Sequence, residues 1–254
     1  MTSHIPSSLD GTVAVVTGAA KRLGAGIARH LHSQGSNIII HCFRSESDAR
    51  LLESELNANR SHSAAVVVTE LGRRSQAERL IEASLSVWGR LDIVVNNASS
   101  FYPTPVGEIT DNQFDDLFFS NVSAPLFITQ AASAPLSKSN GCVINMIDIH
   151  ANRPLAEHSV YCAAKNAAAM LTRSLAVELS PKVRVNGVSP GVILWPESNA
   201  DNASELQSEI IAKIPLRVQG EIDDIAHTVG FLVSESARYI TGQIISVDGG
   251  KSLC

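Results

Sequence analysis

Tyr161 and Lys165, one helical turn apart, are the first pair in this sequence whose types and spacing suggest chemistry. Positions i and i+4 lie on the same face of a helix. A positive charge beside a phenol favours the phenolate, so we expect the pKa of Tyr161 to be lowered toward working pH. Asp148, which ends the apolar segment Cys142–Ile147, adds a carboxylate thirteen residues before Tyr161. The alternatives are a chance pairing of Tyr and Lys and a structural role for Asp148 as an ion-pair partner or turn cap.

A glycine-containing turn from Gly18 to Gly24 follows the apolar segment Thr12–Thr17. Gly18 permits a tight turn out of a strand, and Gly24 permits close approach of helix and strand. The helix that follows presents free N–H groups and the positive end of its dipole, which suits a pyrophosphate. Arg22 replaces a further glycine, and its guanidinium can bind a phosphate or an anionic substrate edge. The pattern predicts a dinucleotide site; the alternative is an ordinary turn.

The turn after the second apolar segment, Ser36–Phe43, indicates which dinucleotide is bound. An NAD site usually has an acidic residue here that accepts hydrogen bonds from the ribose 2′-hydroxyl, but none precedes Glu46. Arg44 can instead pair with a 2′-phosphate, Ser45 can donate to it and His41 can assist. We therefore predict NADPH; the alternative is a solvent-exposed Arg at the end of a strand.

Composition limits the classes of protein that this chain can belong to. It has 254 residues, 44% of them hydrophobic, and a net charge of −5 without long charged runs, which does not indicate binding to nucleic acid or to an anionic membrane. The four cysteines show no metal-ligand spacing, and we expect no metal site. No secretory signal or membrane-spanning run is evident. We expect a cytoplasmic protein.

Strand-like and helix-like segments alternate along the whole chain. Apolar, β-branched runs predict strands, and these runs are Thr12–Thr17, Ser36–Phe43, Ser63–Val68, Leu91–Val95, Cys142–Ile147, Val183–Val188 and Gln243–Val247. Helices are predicted between them, two of which begin at capping boxes; the helical segments are Gly24–Ser33, Ser45–Asn59, Ser75–Trp88, Thr110–Ala132, Tyr161–Leu179, Glu205–Ile214 and Asp223–Val233.

This alternation predicts an α/β fold, a Rossmann-type doubly wound parallel sheet with helices on both faces, in three layers and one domain spanning residues 1–254. Such sheets bind ligands at the carboxyl ends of their strands. A third turn at such an end, Asn96–Ser99, suits a backbone that passes close to the cofactor ribose, although it is also simply a good turn. The less regular segment 190–220 is predicted to be a substrate loop.

Taken together, these motifs resemble the short-chain dehydrogenase/reductase family over essentially the whole chain. The residues that carry the resemblance are Thr17, Gly18, Arg22, Gly24, Asn96, Asn97, Ala98, Asn121, Tyr161, Lys165, Pro190 and Gly191. Family members usually have a serine where this chain has Asp148. That difference, together with Arg22, His41, Arg44, Ser45 and the segment Ser99–Pro103, resembles the pteridine reductases, which reduce biopterin, folate or their dihydro forms with NADPH.

The resemblance implies a role for each matching residue. Phe101 would stack on the pterin, Asn121 would hold a water that supplies protons to Lys165, and Glu70 replaces an Asp often found beside the adenine. The implied catalytic residues are Asp148, Tyr161, Lys165 and Asn121. The implied cofactor-binding residues are Gly18, Arg22, Leu23, Gly24, His41, Arg44, Ser45, Glu70, Leu71, Asn97, Ala98, Ser99, Tyr161, Lys165, Pro190 and Gly191. The implied substrate-binding residues are Arg22, Ser99, Phe101, Asp148, Tyr161 and Trp195, the last of which either lines the pocket or packs under the loop.

The resemblance thus implies an NADPH-dependent reductase of a pterin or folate. Two alternatives stay open, a reductase of another carbonyl substrate such as a 3-oxoacyl thioester, and a non-catalytic NADPH-binding protein. The Tyr161–Lys165 pair argues against the second, because a silent protein has no physical need for it. Relatives are commonly tetramers, and the apolar segments Leu126–Ala134 and Ala167–Leu175 fit a homotetramer, although they equally fit burial within one subunit.

Overall fold

The computed structural model describes residues 9–195 and 203–254, and its strands form one sheet. All neighbouring strands are parallel, in the order β3-β2-β1-β4-β5-β6-β7. The strands are β1 Val13–Val16, β2 Asn37–Cys42, β3 Ala64–Val68, β4 Ile93–Asn96, β5 Cys142–Met146, β6 Arg184–Pro190 and β7 Ile244–Val247. The order reverses between β1 and β4, as in a doubly wound Rossmann-type sheet, so the predicted fold class is confirmed.

Helices cover both faces of the sheet. They are α1 Arg22–Ser33, α2 Glu46–Asn59, α3 Arg74–Trp88, α4 Asp111–Phe118, α5 Ala124–Ser139, α6 Ser159–Glu178, α7 Ala203–Ala212 and α8 Ile222–Val233. In β1, Ala14 and Val16 pack with α1, α2 and α8, whereas Val13 and Val15 pack with α3, α5 and α6. Because each strand is covered on both sides, its sequence is continuously apolar rather than alternating.

The start of α3 differs from its prediction. The capping box Ser75–Glu78 does not form, because the helix begins at Arg74 and its N-cap is Arg73. The side-chain oxygen of Gln76 accepts a hydrogen bond from the Arg73 N–H at 2.9 Å. The other capping box is confirmed, since Thr110 and Gln113 cap α4 reciprocally.

The long helix predicted from Thr110 to Ala132 is interrupted. A π-helical turn, Phe119–Ser123, separates α4 from α5, and α5 continues to Ser139 through Pro135. π-turns inside helices frequently occur at functional sites. This one carries Asn121, whose side chain is buried.

The carboxyl ends of β1, β4 and β5 meet at one edge of the sheet, where the candidate site lies. Part of the predicted substrate loop 190–220, residues 196–202, lies outside the described residues. The helix predicted at Glu205–Ile214 is present as α7, which begins and ends two residues earlier. Among residues 9–195 and 203–254, no helix combines the length and hydrophobicity that a bilayer crossing requires. The same residues contain no group of three or more His, Cys, Asp or Glu side chains arranged to hold a metal ion.

Candidate active site

Asp148 and Tyr161 are in direct contact. The Tyr161 hydroxyl donates a hydrogen bond of 2.8 Å to Oδ2 of Asp148. Oδ1 of the same carboxylate accepts the N–H of His150 at 2.8 Å and caps a short 3₁₀ turn after β5. Helix α6 supplies Tyr161, which is only 3% exposed. The carboxylate therefore has two bonds, one that fixes its own position and one that fixes the phenol.

The pKa of Tyr161 is raised, first by burial and then by the charge and hydrogen bond of Asp148. The prediction that Lys165 lowers this pKa is therefore wrong. The reason is geometric: Nζ of Lys165 lies 5.7 Å from the centre of the Tyr161 ring and donates to the carbonyl oxygen of Met146 at 2.9 Å. Tyr161 is thus a neutral phenol that holds its proton against a carboxylate.

Lys165 is the second buried titratable group of the site, with an exposed fraction of 3%. Burial lowers its pKa to about 8, while the charge of Asp148 partly opposes that shift. A lysine with such a pKa can exchange a proton near neutral pH.

Asn121, on the π-turn, joins the segment after β4 to the helix. Its Nδ2 donates to the carbonyl oxygens of Leu117 at 2.9 Å and Ser100 at 3.1 Å, and its Oδ1 accepts the Ser99 hydroxyl at 2.7 Å. The structure thus brings together two predicted site residues, Asn121 and Ser99. The π-turn positions the amide, and the proton supply to Lys165 stays a prediction.

Phe101 borders the Tyr161 side of the site. Its ring contacts Tyr161 edge to face with centroids 4.8 Å apart, and the side chain is 51% exposed. His158 stacks on Phe101 with centroids 4.8 Å apart and an interplanar angle of 17°. His158 was missed from the sequence, although its position three residues before Tyr161, at the N-terminus of α6, is a signal that could have found it.

Thr17, which the sequence placed in the glycine motif but not among the site residues, joins two loops. Its Oγ1 accepts the backbone N–H groups of Asn97 at 2.9 Å and Ala98 at 3.0 Å. In return, Nδ2 of Asn97 donates to the carbonyl oxygens of Thr17 at 2.9 Å and Gly18 at 3.2 Å. A Cβ atom at Gly24 would lie 2.4 Å from the Gly18 carbonyl oxygen, so this position requires glycine. The hydroxyl at the end of β1, next to the glycine turn, was the available signal.

The comparisons with known proteins cover nearly the whole chain. A family model described as Enoyl-(Acyl carrier protein) reductase matches residues 18–252. Pteridine reductase 1 of Leishmania tarentolae is 38% identical over 95% of this chain and 96% of its own length. An uncharacterized oxidoreductase of Methylorubrum extorquens is 35% identical over 96% of this chain and 99% of its own, and an uncharacterized oxidoreductase of Escherichia coli, YohF, is 32% identical over 95% and 96%.

The chain belongs to the short-chain dehydrogenase/reductase family. It is an oxidoreductase scaffold of the kind that uses a nicotinamide dinucleotide. The fit of that cofactor can be tested on the first turn of α1, which begins with Arg22, Leu23 and Gly24. Backbone N–H groups at a helix N-terminus have no acceptor within the helix and lie at the positive end of its dipole, so this turn fits a pyrophosphate.

Arg22 has a backbone φ of 53°, in the left-handed region that favours glycine. This conformation explains why a plainer glycine-rich loop has a further glycine at the position of Arg22, and such strain is typical of functional turns. One guanidinium nitrogen lies 3.4 Å from the carbonyl oxygen of Trp195. The indole N–H of Trp195 donates to Oε1 of Gln219 at 2.7 Å, and the side chain is half-buried. Its contact with substrate stays a prediction.

The loop after β2 presents Arg44 and Ser45. The Arg44 guanidinium is exposed, 5.3 Å above the Phe43 ring, and Ser45 is the N-cap of α2 without a side-chain capping bond. His41 is placed differently from the expected phosphate contact. It is 2% exposed, its Nδ1 accepts the Gly18 N–H at 3.2 Å, and its Nε2 donates to the Thr69 carbonyl oxygen at 2.9 Å.

Burial lowers the pKa of His41 to about 4, so this side chain is neutral and supports the glycine turn from behind.

The other predicted cofactor residues flank the same edge. Glu70 accepts a hydrogen bond from Gln76 at 2.9 Å, and Leu71 packs against the core. Pro190 ends β6, and the Gly191 N–H donates to the Val247 carbonyl oxygen at 3.0 Å.

Proposed function

We propose that this protein is an NADPH-dependent pteridine reductase. The observation that carries the proposal is the 2.8 Å hydrogen bond from the Tyr161 hydroxyl to Asp148, because a carboxylate stands where most family members have serine. The pteridine reductase of Leishmania tarentolae, 38% identical to this chain, adds support. Phe101, half-exposed beside Tyr161, offers a flat aromatic surface to a flat heterocycle.

Whether serine or aspartate suits position 148 depends on the type of bond that the enzyme reduces. A carbonyl needs a neutral donor, such as a serine hydroxyl, to hold its oxygen beside the tyrosine. A pterin ring has C=N bonds, so the carbon receives a hydride and the nitrogen receives a proton. NADPH, when bound, supplies the hydride. A carboxyl group beside the phenol can relay a proton or accept a bond from the pterin amino edge, neither of which serine does as well.

Tyr161 gives its proton to the ring nitrogen in this proposal. Burial and the charge of Asp148 raise the pKa of Tyr161, so the phenol keeps its proton in the resting site. Asp148 holds the hydroxyl in position, and Lys165, with a pKa of about 8, would exchange protons with the site and would bond the nicotinamide ribose when the cofactor is bound. Asn121 completes the proton supply, and Ser99 and Arg22 bond the pterin or a cofactor phosphate.

The preference for NADPH over NADH rests on the loop after β2. Arg44 is an exposed cation and Ser45 a hydroxyl donor, which together suit a 2′-phosphate. The first turn of α1 would hold the pyrophosphate, and the joined loops at Gly18 and Asn97 would border the ribose. His41 supports this arrangement from behind the loop.

The test is to incubate the purified protein with NADPH and either dihydrobiopterin or an acetoacetyl thioester. NADPH oxidation with the pterin alone supports the proposal. Oxidation with the thioester alone assigns the site to carbonyl reduction, and oxidation with neither favours a non-catalytic NADPH-binding protein.

A homotetramer and a cytoplasmic location belong to the same proposal. Phe114, Phe119, Met170 and Val177, on or next to helices α4 and α6, are all more than a third exposed, which suits an interface between subunits. Light scattering after size exclusion measures the number of subunits directly; a monomer would contradict this part of the proposal.

A further inference from the structure

A cavity of about 530 Å³ lies next to the catalytic carboxylate. Ile149 and His150, which follow Asp148 directly in the chain, form one wall of it. Residues 212–215 and Arg217, at and just after the end of α7, form the others together with Lys251 and Cys254. The cavity and the site therefore share the turn whose N–H group holds Asp148.

The charge of this cavity is opposite to that of the chain. Arg153, Lys213, Arg217 and Lys251 line it together with His150, and no Asp or Glu is among the described lining residues. The whole chain has a net charge of −5 and 20 lysines and arginines, so four of these cations collect in one place. Like charges held close together destabilise one another unless an anion accompanies them.

No Asp or Glu side chain of the described residues supplies that anion. Within residues 9–195 and 207–254, the ion pairs lie elsewhere and none includes these four cations. Arg153 donates instead to the backbone carbonyl oxygen of Lys251 at 2.9 Å, which fixes two of the cations relative to each other. Burial and the neighbouring charges of Arg153 and Lys213 lower the pKa of Lys251, while the charge of Asp148 opposes that shift. The catalytic carboxylate is thus within electrostatic reach of the cavity.

The cavity also has an apolar part. Ile149 and Ile214 are both buried, and Pro215 lies beside them. An apolar surface with several cations around it suits a ligand that has an aromatic or aliphatic spacer followed by carboxylates.

We propose that this cavity binds the glutamyl tail of a folate whose pterin ring lies at Tyr161, so that folates with several glutamates are better substrates than tail-less pterins. The p-aminobenzoyl group lies against Ile149 and Ile214, and the glutamate carboxylates pair with Lys213, Lys251 and Arg153. This inference rests on the proposed pterin reduction, which supplies the position of the ring. A phosphate-bearing thioester presents a similar anionic chemistry, and the test separates it from a folate tail.

The test compares KM for dihydrobiopterin, dihydrofolate with one glutamate and dihydrofolate with three. We expect KM of the triglutamate to be about 3- to 10-fold below that of the monoglutamate at low salt, with the difference lost at high salt. Lys213→Gln should reduce the ratio of the monoglutamate KM to the triglutamate KM about 2- to 5-fold, because Lys213 is exposed in the cavity. Lys138→Gln, which removes an exposed cation far along the chain, is the matched control and should leave the ratio unchanged.

Equal KM values of the parent protein for the two folates would overturn the inference about the folate tail. Turnover of dihydrobiopterin in the same experiment would still support the proposed function. An equal effect of Lys213→Gln and Lys138→Gln would also overturn it. If no pterin is reduced, calorimetry can still measure whether p-aminobenzoyl triglutamate or coenzyme A binds to the cavity. Binding of the triglutamate that Lys213→Gln weakens supports the site; binding of coenzyme A alone, or of neither, contradicts it.

Discussion

Replacing Asp148 by asparagine separates a catalytic from a structural role of this residue. Asparagine keeps the size of the side chain, and its one oxygen can still cap the 3₁₀ turn at His150, while its amide nitrogen can donate a hydrogen bond to the Tyr161 oxygen. The negative charge and the acceptor of the Tyr161 proton are lost. A hydrogen bond to a charged acceptor contributes about 1.5–3 kcal/mol and one between neutral groups about 0.5–1.5 kcal/mol, so the difference is about 1–1.5 kcal/mol.

Loss of the Asp148 charge should lower the pKa of Tyr161 in the variant toward its ordinary value. The proton relay is lost altogether, and since positioned acid–base groups contribute about 10²- to 10⁴-fold, we expect kcat for the pterin to fall at least about 100-fold. The nucleotide loops make no hydrogen bond to Asp148, so Kd for NADPH should stay within about twofold. Because the cap is retained, Tm should change by less than about 2 °C.

The assay is NADPH oxidation with dihydrobiopterin, accompanied by fluorescence titration of NADPH and a thermal melt. The matched control is Asp116→Asn, because Tyr102 donates a similar bond of 2.9 Å to Asp116 outside the site. A kcat within about threefold of the parent would refute the relay. A Tm lowered along with kcat would show that the carboxylate is mainly structural.

Three further predictions concern the cofactor loops and Lys165. Arg44→Asp should raise KM for NADPH about 10- to 100-fold and hardly change KM for NADH in steady-state kinetics; equal effects would remove Arg44 from a 2′-phosphate site. Gly24→Ala places a Cβ atom 2.4 Å from the Gly18 carbonyl oxygen. Such overpacking costs about 1–3 kcal/mol and should lower Tm by about 2–10 °C, whereas an unchanged Tm would disprove the close contact. The pKa of Lys165 is about 8 in the folded protein, against 10.5 for an ordinary lysine. Between pH 8 and pH 10.5 the unfolded chain therefore binds one proton more than the folded protein, so the free energy of unfolding rises with pH. Urea midpoints at pH 8 and pH 10 should show this rise in the parent relative to Lys165→Met, and parallel curves would contradict it.

Much of the fold could be predicted because its signals are local. Parallel strands covered on both faces must be continuously apolar, and every predicted strand is present with ends shifted by one or two residues. The start of α3 was wrong because the sequence offered Ser75 as an N-cap, whereas Gln76 bonds back to Arg73 and begins the helix earlier. The π-turn at Asn121 was not predictable, since the amide bonds that accompany it depend on Ser99 and Ser100 from another loop.

The meeting of Asp148, Tyr161 and Lys165 could be predicted from the sequence, whereas their electrostatics could not. Spacing placed Tyr161 and Lys165 on one helix face, and the strand end placed Asp148 nearby. The pKa of Tyr161 was predicted with the wrong sign, because burial and the Asp148 carboxylate raise it, while the Lys165 ammonium bonds the Met146 carbonyl oxygen. The cationic cavity escaped sequence reasoning for the same reason: Arg153, Lys213 and Lys251 are far apart in the chain and meet only after folding.

The central claim is that Tyr161 and Asp148 serve the reduction of a pterin C=N bond. The most direct test is to react the protein with NADPH carrying deuterium at the transferred position of the nicotinamide and with dihydrobiopterin, and to weigh the product. The account predicts a tetrahydropterin one mass unit heavier than the unlabelled product, and no such product from Tyr161→Phe. The account would be contradicted if the pterin were recovered unlabelled and unreduced while the same preparation oxidised the labelled NADPH with an acetoacetyl thioester.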